Sequence, residues 1–338
     1  MVHIPKPLAV TSGEPAGIGP DITLLAWANR RKLQLPYFYI RSDVSLLTER
    51  ARQLGLKVLV QECDATEANA VFDKALPVVQ TGGSVEDTPG LENSVTAATV
   101  LSSIEQAVAD VNSGVAAAVV TNPINKAALY SHGFEHPGHT EYLGALAEKY
   151  WGTRPKPVML IAGPDLMVVP VTIHIPISKV PTSLTKELIL DVVRTTDKDL
   201  KTRFGIQHPR LAICGLNPHA GESGTMGTED REVIAPALAQ LQSEGVRVSG
   251  PHPADTLFHG DARKTYDCAI GMYHDQVLIP AKTLGFDEAV NVTLGLPFVR
   301  TSPDHGTAYS LAGTGQVKID SFAAALRFAA VLADPSAT

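Results

Sequence analysis

Short apolar runs, most of them leading into a helical pattern, recur along this chain and constrain its fold more than any other feature. Leu8-Ala-Val-Thr11, Tyr37-Phe-Tyr-Ile40, Lys57-Val-Leu-Val-Gln61 and Ala116-Ala-Ala-Val-Val120 have the length and make-up of buried strands. Residues 21–31 and 44–55 read as helices between the first three, and strand, helix, strand at this spacing is the βαβ unit of a parallel sheet. Ala97, Leu101, Ile104, Val108 and Val111 space one apolar stripe along a helix over residues 92–112. Residues 62–89, acidic and punctuated by Gly82-Gly83 and Thr88-Pro-Gly90, read as irregular. Residues 321–332 read as a closing amphipathic helix. The sum is an α/β chain, and at 338 residues it exceeds the size at which one core keeps growing, so two lobes are expected.

Three later runs share a second property. Leu166-Met-Val-Val-Pro-Val-Thr-Ile173 ends in His174. Arg210-Leu-Ala-Ile-Cys-Gly-Leu216 passes through Asn217-Pro218 into His219, and Tyr266-Asp-Cys-Ala-Ile-Gly271 leads through Met-Tyr to His274-Asp275. In open α/β sheets, ligands bind at the carboxyl ends of the strands. One histidine at a strand end is more often a hydrogen-bonded surface residue than a ligand. Three of the eleven in the same placement suggest a convergent metal site. Zinc accepts imidazole nitrogen, and three protein ligands leave a position open for substrate. Asp255 and Asp275 are candidates to ligate the metal or to orient a ligating imidazole.

Polar donors suited to an anion also fall at element ends. Gly138-His139-Thr140 opens a helix over residues 142–150, where free backbone N–H groups, a hydroxyl and an imidazole can meet an anion. Thr140 as a simple helix cap is the alternative. Lys126, Lys282 and Arg300 lie near glycine- or asparagine-bearing turns; each alone reads as a solvated charge, and together they can bind a phosphate and a carboxylate. The loop Ser12-Gly-Glu-Pro-Ala-Gly-Ile-Gly-Pro20 is neither GxGxxG nor a Gly-Lys-Ser/Thr phosphate loop, and reads as a turn that packs the first helix.

A net charge of −7 argues against nucleic acid or an anionic membrane as partner. The most apolar stretch, residues 157–177, is broken by Gly163-Pro-Asp165, Pro170 and Pro176, so it reads as two strands and a turn rather than a membrane helix. No signal peptide is visible, and three cysteines (Cys63, Cys214, Cys268) without a CxxC pair point to a reducing cytoplasm without disulfides.

Five motifs in order, Gly13-Glu-Pro-Ala-Gly-Ile-Gly-Pro20, Pro137-Gly-His-Thr-Glu141, Gly215-Leu-Asn-Pro-His-Ala-Gly221, Met272-Tyr-His-Asp-Gln276 and Asn291-Val-Thr-Leu-Gly-Leu-Pro-Phe-Val-Arg-Thr-Ser302, give the chain its resemblance to a known family. Together they resemble the 4-hydroxythreonine-4-phosphate dehydrogenases of pyridoxal phosphate (vitamin B6) biosynthesis, over nearly the whole length and without a departure in any motif. Gly17-Ile-Gly-Pro-Asp21 and Asp304-His-Gly-Thr-Ala308 are similar, more distantly, to the isocitrate and isopropylmalate dehydrogenases. The resemblance implies a two-lobed α/β/α subunit with its active-site cleft between the lobes, working as a homodimer with a shared active site. Residues 1–130 with 286–338 are then the first lobe, on the cofactor side, and 131–285 the second, carrying the metal and the dimer interface. It implies one divalent metal per subunit, zinc before magnesium or cobalt, on His174, His219 and His274, with Asp255 and Asp275 in support. His139, Thr140, Lys282, Asn291 and Arg300 match substrate-binding positions.

The reaction so implied is NAD- or NADP-dependent oxidation of 4-phosphooxy-L-threonine to 2-amino-3-oxo-4-phosphooxybutanoate, which decarboxylates to 3-amino-2-oxopropyl phosphate. His174, His219, His274 and Lys282 are the catalytic candidates. In the absence of a Rossmann fingerprint, the candidate cofactor loop is residues 301–308, through Thr301, Asp304, His305 and Gly306. The rivals are a dehydrogenase of D-threonate or D-erythronate 4-phosphate, a metal-dependent lyase or hydrolase on the same histidines, and a non-catalytic binder of phosphorylated metabolites.

Overall fold

Strand–helix alternation runs the length of the chain, which the computed structural model describes over residues 5–91, 96–136 and 138–334. Its strands are β1 (Leu8–Thr11), β2 (Phe38–Ser42), β3 (Val60–Glu62), β4 (Leu76–Gln80), β5 (Val119–Val120), β6 (Val158–Ala162), β7 (Met167–Thr172), β8 (Leu211–Cys214), β9 (Val248–His252), β10 (Cys268–Tyr273), β11 (Val290–Leu294) and β12 (Arg300–Pro303). Two compact units result, Met1–Pro157 with Leu296–Thr338, and Val158–Gly295. Both seams fall later than the expected 130/131 and 285/286. Leu143, Leu146 and Ala147 of helix His139–Trp151 share a buried cluster with Ile104, Ala107 and Val108 of helix Ala97–Asn112, which holds that helix in the first unit. β11 pairs along its whole length, antiparallel, with β6 of the second unit.

In the first unit the strand order is β3-β4-β2-β1-β5-β12, all parallel. The reading of residues 62–89 as irregular is overturned here: Leu76-Pro-Val-Val-Gln80 is a strand inserted between β2 and β3, preceded by the short helix Ala68–Phe72. Pro77 argues against an interior strand because it lacks a donor. It is accommodated because its neighbour on one side is β3, only three residues long and largely exposed. Helix Ala97–Asn112 buries Ala97, Ile104 and Val108 of the expected stripe, while Leu101 and Val111 are only partly buried and Val100 and Ala107 turn inward instead; residues 92–95, with which the expected helix begins, lie outside the described residues.

The glycine-bearing loop after β1 is interior packing, as read: residues 12–20 are all buried. Gly13 has φ +66°, and a Cβ there would stand 2.6 Å from Asn122 Cβ and 2.7 Å from the Pro123 carbonyl oxygen, so only glycine fits. Arg50, on helix Val44–Gln53, fastens the loop from beneath. Its guanidinium donates to the Pro15 carbonyl at 2.8 Å, the Gly17 carbonyl at 3.1 Å, Asp87 Oδ1 at 2.7 Å, and Asp21. All three charged side chains are buried, and one arginine fork satisfies both carboxylates.

In the second unit the order is β11-β6-β7-β10-β8-β9. β6 and β7 are the two strands read from residues 157–177; they pair antiparallel around a turn closed by Gly163 N–H on the Leu166 carbonyl at 2.9 Å. β7, β10, β8 and β9 run parallel. The stretch 177–204 resolves into short turns and one long helix, Lys186–Thr202, whose N-terminus is capped by Thr185 Oγ1 accepting from Leu188 N–H at 3.1 Å. No helix among the described residues is long and apolar enough to cross a membrane.

Candidate functional site

The three strands that were expected to deliver histidines are immediate neighbours. β10 lies between β7 and β8, parallel to both, with Tyr273 level with Thr172 and Cys268 level with Leu211. Thr172 Oγ1 donates to the Met272 carbonyl at 2.7 Å, which locks the ends of β7 and β10 at one height. Gln276 does the same on the other side: its Nε2 donates to the Gly215 carbonyl at 2.7 Å while its Oε1 accepts from Met272 N–H at 2.7 Å. One carboxyl edge therefore carries all three histidine-bearing turns.

It brings two of the histidines together. His174, two residues beyond β7, and His274, the first residue of helix His274–Gly285, have ring centroids 5.6 Å apart, tilted by 44°. His174 holds a left-handed backbone, φ 51°, a strained conformation for a side chain of this size that the surrounding structure has to enforce. Asp275 Oδ1 lies 2.7 Å from His274 Nδ1. With the Nδ1 proton given to that carboxylate, Nε2 keeps its lone pair free for a metal. Both histidines and Asp275 line a cavity of about 180 Å³ floored by Thr172 and Val180. Asp275 also borders a hollow of about 440 Å³ shared with Asp255, and one of about 430 Å³ shared with His274, Lys282 and Phe286. Asp255 and Lys282 thus each share a hollow with Asp275. Asn291 lies half-buried on β11.

His219 is placed differently. It follows β8 within the turn Pro218–Gly224, where His219, Ala220, Gly221, Glu222, Ser223 and Gly224 all have positive φ. A left-handed turn of this kind costs about 1–2 kcal/mol for each non-glycine residue in it. The His219 side chain is 58% exposed, its Nδ1 3.8 Å from Glu222 Oε1. Among the described residues no group of three His, Cys, Asp or Glu side chains stands close enough to hold a metal within one chain. The pair His174–His274 is therefore assembled and its third member is not.

On the first unit, His139 and Thr140 begin helix His139–Trp151, and Gly138 is its N-cap with no side-chain cap, so Thr140 does not cap it. Pro137 of the same motif lies outside the described residues. His139 Nε2 is buried without a hydrogen-bond partner among the described residues. Burial, with Arg300 and Lys126 adding to it, holds the imidazole neutral well below its ordinary range. Arg300, at the start of β12, is 5% exposed and donates through Nε and Nη2 to Thr121 Oγ1 at 3.0 and 2.6 Å. Burial lowers its pKa to about 10, leaving it charged at neutral pH. An unsatisfied imidazole nitrogen beside a buried guanidinium is an environment that gains from an incoming anion.

In the candidate cofactor loop, Thr301 is fully buried and donates to the Ala325 carbonyl at 2.8 Å, so its hydroxyl is already engaged. Asp304 N–H donates to Ser321 Oγ at 3.1 Å. His305 Nε2, next to Gly306, is buried without a partner among the described residues, and burial lowers its pKa. The loop packs on the glycine-bearing turn after β1 through Ile18 N–H on the Thr307 carbonyl at 3.0 Å. Sequence reasoning passed over Gln276 and Asp230. Each looks like an ordinary first-turn residue, and the partners they fasten are 61 and 14 residues away.

The chain is similar to known proteins over nearly its whole length. The family model described as pyridoxal phosphate biosynthetic protein PdxA matches residues 34–329. A 4-hydroxythreonine-4-phosphate dehydrogenase of Bradyrhizobium diazoefficiens is 54% identical over 339 residues, covering 98% of each chain. One from Methylorubrum extorquens strain PA1 is 55% identical over 335 residues, covering 98% of this chain and 96% of the relative. Among solved structures, the 4-hydroxythreonine-4-phosphate dehydrogenase from Klebsiella pneumoniae matches with a TM-score of 0.84 and 34% identity, covering 97% of this chain and 99% of its own.

Proposed function

We propose that this chain, which belongs to the pyridoxal phosphate biosynthetic protein PdxA family, oxidises the 3-hydroxyl of 4-phosphooxy-L-threonine with NAD+ or NADP+. The C3 hydrogen leaves as hydride and the hydroxyl proton is released, giving 2-amino-3-oxo-4-phosphooxybutanoate and NAD(P)H. The product is a β-keto acid and loses CO2 to give 3-amino-2-oxopropyl phosphate. The observation that carries the reading is the His174–His274 pair, with Asp275 on the His274 Nδ1, at the carboxyl edge of β7 and β10.

Two imidazoles, one backed by a carboxylate, fit a divalent cation, and nitrogen donors suit zinc, or cobalt, better than oxygen-seeking magnesium. Because no three such ligands gather among the described residues of one chain, we place the complete shell of His174, His219 and His274 in a homodimer with shared active sites. When bound, the cation supplies Lewis acidity toward the substrate hydroxyl, and the nicotinamide supplies hydride acceptance.

The protein's own residues do the rest. Asp275 fixes the tautomer and direction of His274. On the first unit, Arg300 and the donors of His139 and Thr140 take the phosphate: the buried guanidinium supplies charge, and His139 Nε2 gains the partner it lacks. On the second unit, Lys282 and Asn291 are the residues we assign to the polar end of the substrate. For the dinucleotide we favour His305 and Gly306 over Thr301, whose hydroxyl is engaged. Three free cysteines, Cys214 and Cys268 fully buried, suit a reducing cytoplasm. Mixing purified protein with zinc, NAD+ or NADP+ and 4-phosphooxy-L-threonine tests the reading. Growth of the NAD(P)H absorbance band supports it; none with either nucleotide, on zinc-loaded protein, overturns it.

A further inference from the structure

We propose that Asp230 is the positioning residue for His219, holding the left-handed turn that presents this imidazole. The inference rests on the reading of His219 as a metal ligand. Asp230 is 2% exposed and opens a π-helical turn, Asp230–Ile234. Its Oδ1 accepts from Leu216 N–H at 2.8 Å, and its Oδ2 accepts from Asn217 N–H at 3.2 Å and from Asn217 Nδ2 at 2.9 Å. These donors are the last two residues before the turn, so one buried carboxylate clamps the chain where it leaves β8. Gly215 makes room for the clamp: a Cβ there would stand 2.6 Å from Asp230 Oδ1 and 2.8 Å from Ala220 Cα. The carboxylate and the turn thus press on the same glycine.

The backbone from His219 to Gly224 is left-handed throughout, a conformation that L residues leave unless their surroundings enforce it. The side chain it presents is largely exposed, with Glu222 of the same turn as its neighbour. The rigidity that metal binding requires must come from beneath, and Asp230 is the buried polar group placed to supply it. The role is distinct from ligation, because the Asp230 carboxylate is taken up by amide donors.

The test is zinc affinity, read by chelator competition, for the wild type, Asp230→Asn, His219→Ala and the double variant, with melting of each metal-free protein. Asp230→Asn keeps size but sets an NH2 group against N–H donors. Expected is a loss of about tenfold or more in zinc affinity, with no added loss when His219 is already alanine. Equal loss in both backgrounds means general damage and overturns the inference, as does an unchanged affinity. Unaltered zinc binding by His219→Ala overturns the metal reading and this inference with it. If His219→Ala weakens zinc and Asp230→Asn does not, only the inference fails. Should Asp230→Asn not fold, Asn217→Ala, which removes one of the three donors, is measured in the same cycle with a several-fold coupled loss expected and an uncoupled or absent loss contrary.

Discussion

Replacing Asp275 with alanine should weaken metal binding while leaving the metal-free fold almost untouched. The carboxylate lies 2.7 Å from His274 Nδ1, so its removal frees the ring to rotate and to exchange tautomers. Losing such a partner behind a metal-binding histidine costs about 10–100-fold in affinity, or roughly 1.4–2.7 kcal/mol. The contribution of the same pair to folding is small, because the His274 and Asp275 side chains are 36% and 71% exposed, and pairs of this kind contribute about 0–1 kcal/mol. The metal-free melting temperature should therefore move by no more than about 2–4 °C. Zinc titration against a chelator, beside thermal melts, separates the two effects. Asp275→Asn, which keeps an acceptor without the charge, should lose less than Asp275→Ala, and excess zinc should restore much of the turnover of both. Unchanged zinc affinity in Asp275→Ala would refute the reasoning, and a collapse of the metal-free fold would assign the residue to structure instead.

Arg50→Met leaves Asp21 and Asp87 buried without their partner and should cost about 3–5 kcal/mol in urea unfolding; a loss below about 1 kcal/mol contradicts the clamp described for the first loop. Gly13→Ala must push against Asn122 and the Pro123 carbonyl in a left-handed backbone, for about 1–3 kcal/mol by the same assay, and neutrality would contradict that close approach. His139 has its folded pKa depressed, so the stability it contributes is whole above about pH 6.5 and is lost as pH falls toward the folded value, the unfolded chain taking the proton first. His139→Gln should therefore flatten the fall in melting temperature between about pH 7 and pH 5, and an unchanged slope counts against the burial of its Nε2.

Much of the site's framework is legible in the sequence because it depends on local pattern. Apolar runs ending in histidine mark β7, β8 and β10, and the parallel neighbours they become follow from the strand–helix alternation. What is not legible depends on partners distant in sequence. β4 escapes because Pro77 breaks its pattern, and only the short edge strand beside it makes the proline tolerable. The first compact unit runs on to Pro157, beyond residue 130, because the apolar face of helix His139–Trp151 commits it to the core around Ile104, a packing no local pattern shows. The left-handed path of residues 219–224 is invisible because four of its six residues are not glycine, and the Asp230 clamp that stabilises it lies outside any local window. The nearness of His174 to His274 follows from the strand ends they continue, and no third ligand joins them among the described residues of one chain.

On the proposed reading, a cation on these imidazoles serves oxidation of a phosphorylated amino alcohol. The direct measurement follows NAD(P)H absorbance and CO2 release together, on adding 4-phosphooxy-L-threonine and nucleotide to zinc-loaded protein, before and after chelation. The account predicts reduced nucleotide and CO2 in equal amounts, both stopped by the chelator and restored by zinc. Reduction that continues at full rate in chelated protein, or zinc-loaded protein that reduces neither NAD+ nor NADP+, would contradict it.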